Sequence, residues 1–282
     1  MSGAPAPALN FSRRTVVWFA ALVVVVNGFF PAVWILLTSL KTETELLQVP
    51  ITYLPQAPTL GNYITAFTAQ PILRFMGNSV VVAGLSTTLC VLISALAAYA
   101  LTRLRVEHRN LIMSILLAVA MFPLISLMVP LFKLMRELGL LNTYLALILP
   151  YTVLSMPICT LVMASFFQDI PPDLEAAAMI DGCSRVGALF KVVVPLAAPG
   201  VFTAAILAFV NAWDEFLLAL TMMNRVTMRT LSVGITLYQG EFAFPWPLIS
   251  AALIIAIVPI CILIAVFQER VVGGLTAGGV KG

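Results

Sequence analysis

The chain has 282 residues, of which 61% are hydrophobic and 10% charged, with a formal net charge of +3. Its mean hydropathy is +1.07. A soluble domain is about 45–50% apolar and about 25% charged. The composition therefore excludes a single soluble globule, a disordered chain, a secreted disulfide scaffold and a free nucleic-acid binder, and makes lipid the main solvent.

Residues 1–12 are expected to form a disordered cytoplasmic terminus. Arg13 and Arg14 then precede an apolar run over 16–37. The pair suggests a signal peptide, but the run exceeds an h-region of about 7–15 residues and no convincing cleavage site follows. It is read as a retained first span. Lys41-Thr42 has the terminal pair of a P-loop, but Leu40 stands where the second glycine must be.

Five further segments have the length and apolarity of a spanning helix: 77–101, 110–130, 144–166, 201–221 and 249–267. With the N-terminus inside, nine basic residues fall in cytoplasmic segments and six outside, with Arg103, Arg105 and Arg109 clustered in one short loop. Both termini are then cytoplasmic. Pro31, Pro123, Pro150, Pro157 and Pro259 lie in spans and either shape the bundle or mark hinges. The expectation is an all-α membrane protein of six transmembrane helices over residues 13–271, with a tail at 272–282.

The residues also exclude chemistry. The single histidine, His108, sits in a charged loop, so neither an HExxH metal site nor a histidine-based triad fits. Cys90, Cys159, Cys183 and Cys261 have no metal-site spacing and are expected to be small buried hydrophobes. No catalytic residue and no metal site is expected. Only Asp214 and Glu215 place charge within a span, which disfavours an ion-coupled carrier with its relay of ionisable groups.

The loop at 168–200 has signals for two short helices. Pro171-Pro172 stop the preceding structure, Asp173 is expected to cap the first helix, Gly182 to end it, and Ser184 to cap the next. Ala176, Ala177 and Ala178 permit close approach by another surface. The first helix is either a docking element for a cytoplasmic partner or an amphipathic helix lying at the interface.

Glu175-Ala176-Ala177, then Gly182, then nine residues and Val192-x-Val194-Pro195 resemble the EAA signature of ABC importer permeases. That pattern is EAA, three residues, Gly, nine residues, Ile-x-Leu-Pro. The stretches Gly139-Leu-Leu-Asn-Thr143, Leu147-Ile-Leu-Pro-Tyr151, Ala212-Trp-Asp-Glu-Phe216 and the end from Gly274 are similar to the maltose/trehalose-type branch and its six-span second permease subunit.

The resemblance implies a type I importer permease fold. It implies partners: a second homologous permease chain, two ATPase subunits and an extracytoplasmic solute-binding protein or lipoprotein. ATP and Mg would be bound by the ATPase, with no cofactor in this chain. Glu175, Ala176, Ala177, Asp181, Gly182, Arg185 and Pro195 would couple the loop to the ATPase, Glu175 by pairing with a basic group there. Gly278, Gly279 and Lys281 of the tail would reach the same interface, the alternative being a frayed glycine-rich end. The chain would lie in a bacterial inner membrane.

On a continuous helix, Asn211, Asp214 and Glu215 share an arc of about 100°. A mid-span carboxylate costs at least about 2.5–3.5 kcal/mol, so this stripe lines a sugar path, contacts a partner permease, or sits shallow enough to meet outer water. Trp213 points roughly the other way and is expected to pack. An anionic stripe disfavours a phosphorylated cargo, so a neutral disaccharide such as trehalose or maltose is the expected substrate.

Overall fold

The computed structural model describes residues 11–240 and 244–279, and the side chains of residues 15–240 and 244–267. Its helices are α1 (Phe11–Ser39), α2 (Gly61–Ala69), α3 (Ile72–Arg103), α4 (Arg109–Ala120), α5 (Leu124–Glu137), α6 (Leu145–Gln168), α7 (Pro172–Ile180), α8 (Arg185–Ala188), α9 (Ala198–Asp214), α10 (Leu217–Met222) and α11 (Trp246–Gly279). No strand occurs among the described residues. Helix α1 begins at Phe11, inside the segment 1–12 expected to be disordered, and residues 1–10 lie outside the described residues.

Two compact units are present: Met1–Thr68 with Tyr238–Ile254, and Ala69–Leu237 with Ile255–Gly282. In the second, α3 and α6 make the most extensive contact, α9 packs on both, and α4 lies on α6. The core mixes large side chains such as Met163, Phe167 and Leu189 with small ones where the helices meet: Ala95 and Ala98 of α3, Ala164 of α6, and Ala204 and Ala208 of α9. Between lipid-solvated helices the hydrophobic effect supplies little attraction, so small side chains let backbones approach and dispersion contacts hold them. Cys90 and Cys159 belong to this core. Cys183 is half-buried and Cys261 exposed, so the expectation of four buried cysteines holds for only two.

Four helices are long and apolar enough to cross a membrane, and six if two bent pairs each count as one span. The expected third span is one such pair: α4 and α5 meet at 90°. Pro123 has no N–H to continue the helix and disfavours helical backbone at Phe122, so the chain turns there. The expected fifth span is also interrupted. Helix α9 stops at Asp214 and Glu215 is extended, with φ −64° and ψ 126°.

Helix α3 is the positioning element of the second unit. From Asn78 to Tyr99 it rises roughly 32 Å, about the thickness of a bilayer's hydrocarbon core. Each of its ends grips a different loop.

Candidate functional site: the loop after α6

Helix α7 begins with Pro172 at its first position and Asp173 and Glu175 in its first turn. Proline suits this position because its missing N–H would have no helical partner. Asp173 makes no capping bond, which corrects its expected role as the cap, since Pro171 holds that position. The C-terminus matches the expectation. Gly182 adopts φ +91°, its N–H donates to Met179 O (3.1 Å) and the Cys183 N–H to Ala178 O (3.0 Å). A side chain is strained at that φ, so glycine is required. Ser184 then caps α8, its Oγ accepting from the Gly187 N–H at 3.1 Å.

Beyond α8 the chain widens into a π turn, Leu189–Val193, where the Val194 N–H reaches Leu189 O. Pro195 explains the widening: its ring clashes with the carbonyl four residues back and it cannot donate to it. The Arg185–Leu196 segment meets α9 at 87°. At this elbow Gly200 lies against Phe166, and a Cβ there would sit 2.3 Å from the Phe166 ring.

Glu175 points into the chain and is 7% exposed. The Tyr99 hydroxyl donates to its Oε1. Arg103 Nε lies 3.5 Å from its Oε2, with the two side chains 9% and 10% exposed. Arg103 also donates through Nη2 to Phe167 O (2.8 Å) and Ile170 O (2.6 Å), closing the carbonyl end of α6. One arginine thus joins α3, α6 and α7. Within this chain the Glu175 carboxylate is already used internally, so its expected pairing with a basic group on another chain would have to compete with Tyr99 and Arg103. Spacing supplies the reason. Four residues, 178–181, separate Ala177 from Gly182 where the EAA pattern has three. The glutamate position of the pattern falls on exposed Ala176, and Glu175 is turned about 100° away from it.

The outer side of the loop is apolar. Ala176 and Ala177 are exposed with Leu174 (46%), Ile180 (86%), Val186 (56%) and Phe190 (41%). Asp181, Gly182, Arg185 and Pro195 are exposed along the same loop. Sequence reasoning misses Tyr99 and Arg103 as site residues, because Tyr99 lies in an apolar run and Arg103 fits an orientation charge.

The expected stripe on α9 does not survive the break. Asn211 and Asp214 are exposed, and Asn211 Nδ2 donates to Ser155 Oγ at 3.2 Å. Glu215 leaves the helical arc. Its Oε1 accepts from the Leu218 N–H (2.9 Å), its Oε2 from the Ala219 N–H (3.1 Å) and from the Tyr151 hydroxyl. It is a cap for α10, with both oxygens occupied. Trp213 is buried and stacks on Phe209 at 5.7 Å, as expected of a packing residue. Gly278 and Gly279 lie within α11, and Lys281 lies outside the described residues.

The family described as "Binding-protein-dependent transport system inner membrane component" matches residues 91–276. This chain belongs to that family. The sulfoquinovosyl glycerol transport system permease protein of Agrobacterium fabrum is 65% identical over 281 residues, 99% of each chain. The trehalose/maltose transport system permease protein of Thermococcus litoralis is 38% identical, covering 96% of this chain and 98% of its own. A bacterial ABC transporter chain solved for alginate import superposes with TM-score 0.79 at 20% identity, over 94% of this chain and 99% of that one.

The permease thus has the fold of ABC importer permeases, with the alginate structure as the geometric parallel. It is a multi-pass inner-membrane subunit of a binding-protein-dependent carbohydrate importer. It is not an enzyme, and ATP hydrolysis belongs to a partner ATPase.

Proposed function

We propose that the permease forms half of the translocation path for an anionic glycoside of the sulfoquinovosyl glycerol kind, and that α7 couples it to the ATPase. The substrate reading is carried by the 65% identity to a sulfoquinovosyl glycerol permease, against 38% for the trehalose/maltose relative. A second reading, a neutral disaccharide such as trehalose or maltose, is favoured by exposed Asp214, whose charge repels an anion. That repulsion is weaker than two free carboxylates would give, because Glu215 is held by three donors.

The coupling reading is supported by the exposed apolar face of α7 and α8. A helix of nine residues is too short to be stable alone in water, and Ile180 at 86% exposure gains most from a partner. Ala176, Ala177, Asp181, Gly182, Arg185 and Pro195 lie along that face or its turns, while Glu175 holds it from within. The assembly we propose pairs this chain with a second homologous permease and two ATPase subunits, which hold ATP and Mg. An extracytoplasmic binding protein delivers cargo at the opposite end of α3. The tail beyond α11, with Lys281, is proposed as a further ATPase contact.

ATP hydrolysis by the assembled complex tests the substrate, using its cognate binding protein loaded in turn with sulfoquinovosyl glycerol, trehalose and maltose. Stimulation by the sulfonated glycoside alone is expected. Stimulation by trehalose or maltose without it would overturn the anionic reading in favour of the neutral one.

A further inference from the structure

Resting on the anionic-cargo reading, we propose that Arg229, flanked by Arg74 and Arg225, receives the cargo's sulfonate at the end of the permease opposite α7. The loop Arg225–Leu231 is fixed there by hydrogen bonds from α3 and its neighbours. Asn78 Nδ2 donates to Thr227 O (3.0 Å) and to Arg229 O (2.8 Å). The Tyr144 hydroxyl holds Asn78 Oδ1 at 2.8 Å. Ser79 Oγ accepts from the Leu231 N–H at 2.8 Å, and Asn142 Oδ1 accepts from the Arg225 N–H at 2.8 Å. Arg74 Nε donates to Thr227 O at 3.0 Å, placing its guanidinium beside the same turn. These bonds pre-set the backbone from which the Arg229 side chain leaves.

That side chain has an unmet demand. Arg229 is half-buried, and its Nε is shielded from solvent without an acceptor among the described residues. A buried donor left without a partner is costly, and more so when charged. The ion pair found among the described residues is Arg103–Glu175, at the other end of α3. Arg225 and Arg229 thus leave this turn and the Arg74 guanidinium lies beside it, with no carboxylate partner among the described residues.

The chemistry that satisfies them is a tetrahedral oxyanion, because a guanidinium fork matches two of its oxygens in one plane. A sulfonate supplies three such oxygens. A phospholipid headgroup offers the same geometry. The substrate is favoured over the lipid because a desolvated Nε within a fixed turn selects for position, whereas lipid phosphates are met by flexible exposed side chains that snorkel. An uncharged glycoside gains nothing from the site.

The complete transporter tests this, with both permease chains, ATPases and binding protein in proteoliposomes. R229M is expected to lower uptake of sulfoquinovosyl glycerol by about tenfold or more and uptake of uncharged glucosyl glycerol by less than about twofold. R229K should recover part of the loss. Equal losses for both cargoes would mean that Arg229 only supports the loop, which overturns the site and leaves the cargo reading standing. No wild-type uptake of the sulfonated cargo overturns both. ATP hydrolysis stimulated by loaded binding protein in phospholipid-free maltoside micelles separates the two oxyanions. The R229M defect should persist there, and its disappearance would assign the site to lipid phosphate and overturn the proposal.

Discussion

The Tyr99 hydroxyl donates to Glu175 Oε1, so the last turns of α3 hold the first turn of α7 from inside the chain. Arg103, one turn further along α3, completes the grip by pairing with the other carboxylate oxygen. Helix α7 is thus fastened by side chains as well as by loop backbone. Roughly 32 Å away along the same helix, Asn78 holds the loop that carries Arg229. Helix α3 thus joins α7 at one end to the Arg229 loop at the other.

The first prediction tests that fastening. Removing one member of a buried ion pair costs about 3–5 kcal/mol, because the other charge stays buried without a partner. Glu175→Ala leaves Arg103 in that position. Uptake per ATP hydrolysed is expected to fall sharply in Glu175→Ala and less in Tyr99→Phe, which removes one donor. Basal ATP hydrolysis should survive in both. If Tyr99→Phe and Glu175→Ala both kept the wild-type ratio of uptake to hydrolysis, the fastening would have no part in coupling.

A second prediction concerns the elbow before α9. A methyl on Gly200 would overlap the Phe166 ring at 2.3 Å. The ring is close to the backbone of α6, so it cannot swing far. Overpacking of this kind costs about 1–3 kcal/mol. Gly200→Ala should lower the thermal unfolding midpoint of the detergent-solubilised transporter, and Phe166→Ala in the same chain should restore part of it. Additive destabilisation by the two changes would contradict the overlap.

Much of this architecture is legible in the sequence. The runs that form α1, α3, α6 and α11 are long and apolar, and a membrane leaves such runs few alternatives to helix. Gly182 and Ser184 are legible because caps are local: their partners lie within five residues. Glu175 and Glu215 are misread for the opposite reason. Glu175 is oriented by Tyr99, 76 residues away, and Glu215 by Tyr151, 64 residues away, together with two amides beyond a helix break, and no local pattern reports a pairing at such distance. The break at Glu215 is also invisible to periodicity, because Leu217–Met222 resumes the same apolar pattern after it.

The third prediction separates the two acidic neighbours. Glu215→Ala removes the cap of α10, worth about 1 kcal/mol, and strands the buried Tyr151 hydroxyl at about 1–3 kcal/mol. Asp214 is exposed, and no hydrogen bond to its side chain is seen among the described residues. Glu215→Ala should therefore lower the yield and melting point of the assembled complex, while Asp214→Asn leaves both unchanged. With an anionic cargo, Asp214→Asn should maintain or raise uptake, since it removes a like charge. A stable Glu215→Ala complex with normal uptake would show that the carboxylate is not the cap described.

The fourth prediction is a pH dependence in the loop after α1. Glu45 is buried, and its Oε1 accepts from the Thr52 hydroxyl at 2.8 Å and the Gln56 N–H at 3.0 Å. Lys41, 2% exposed, donates to Thr52 O and binds the same stretch of loop. Burial pushes the Glu45 carboxyl up, but the Thr52 hydroxyl, the Gln56 amide and the Lys41 charge together outweigh it and hold the group below the ordinary value of 4.5. A carboxyl lowered in the folded loop stabilises it fully above its unfolded value. The contribution fades as pH falls from there through the folded value, and is gone below it. Amide protection factors across residues 41–56, which divide out the base-catalysed intrinsic rate, should therefore be high and flat above about pH 5 and should fall as pH drops below about 4.5. Glu45→Gln, which has no proton to gain, should remove that fall and show lower protection at neutral pH. An unchanged acid profile in Glu45→Gln would assign the effect to another group.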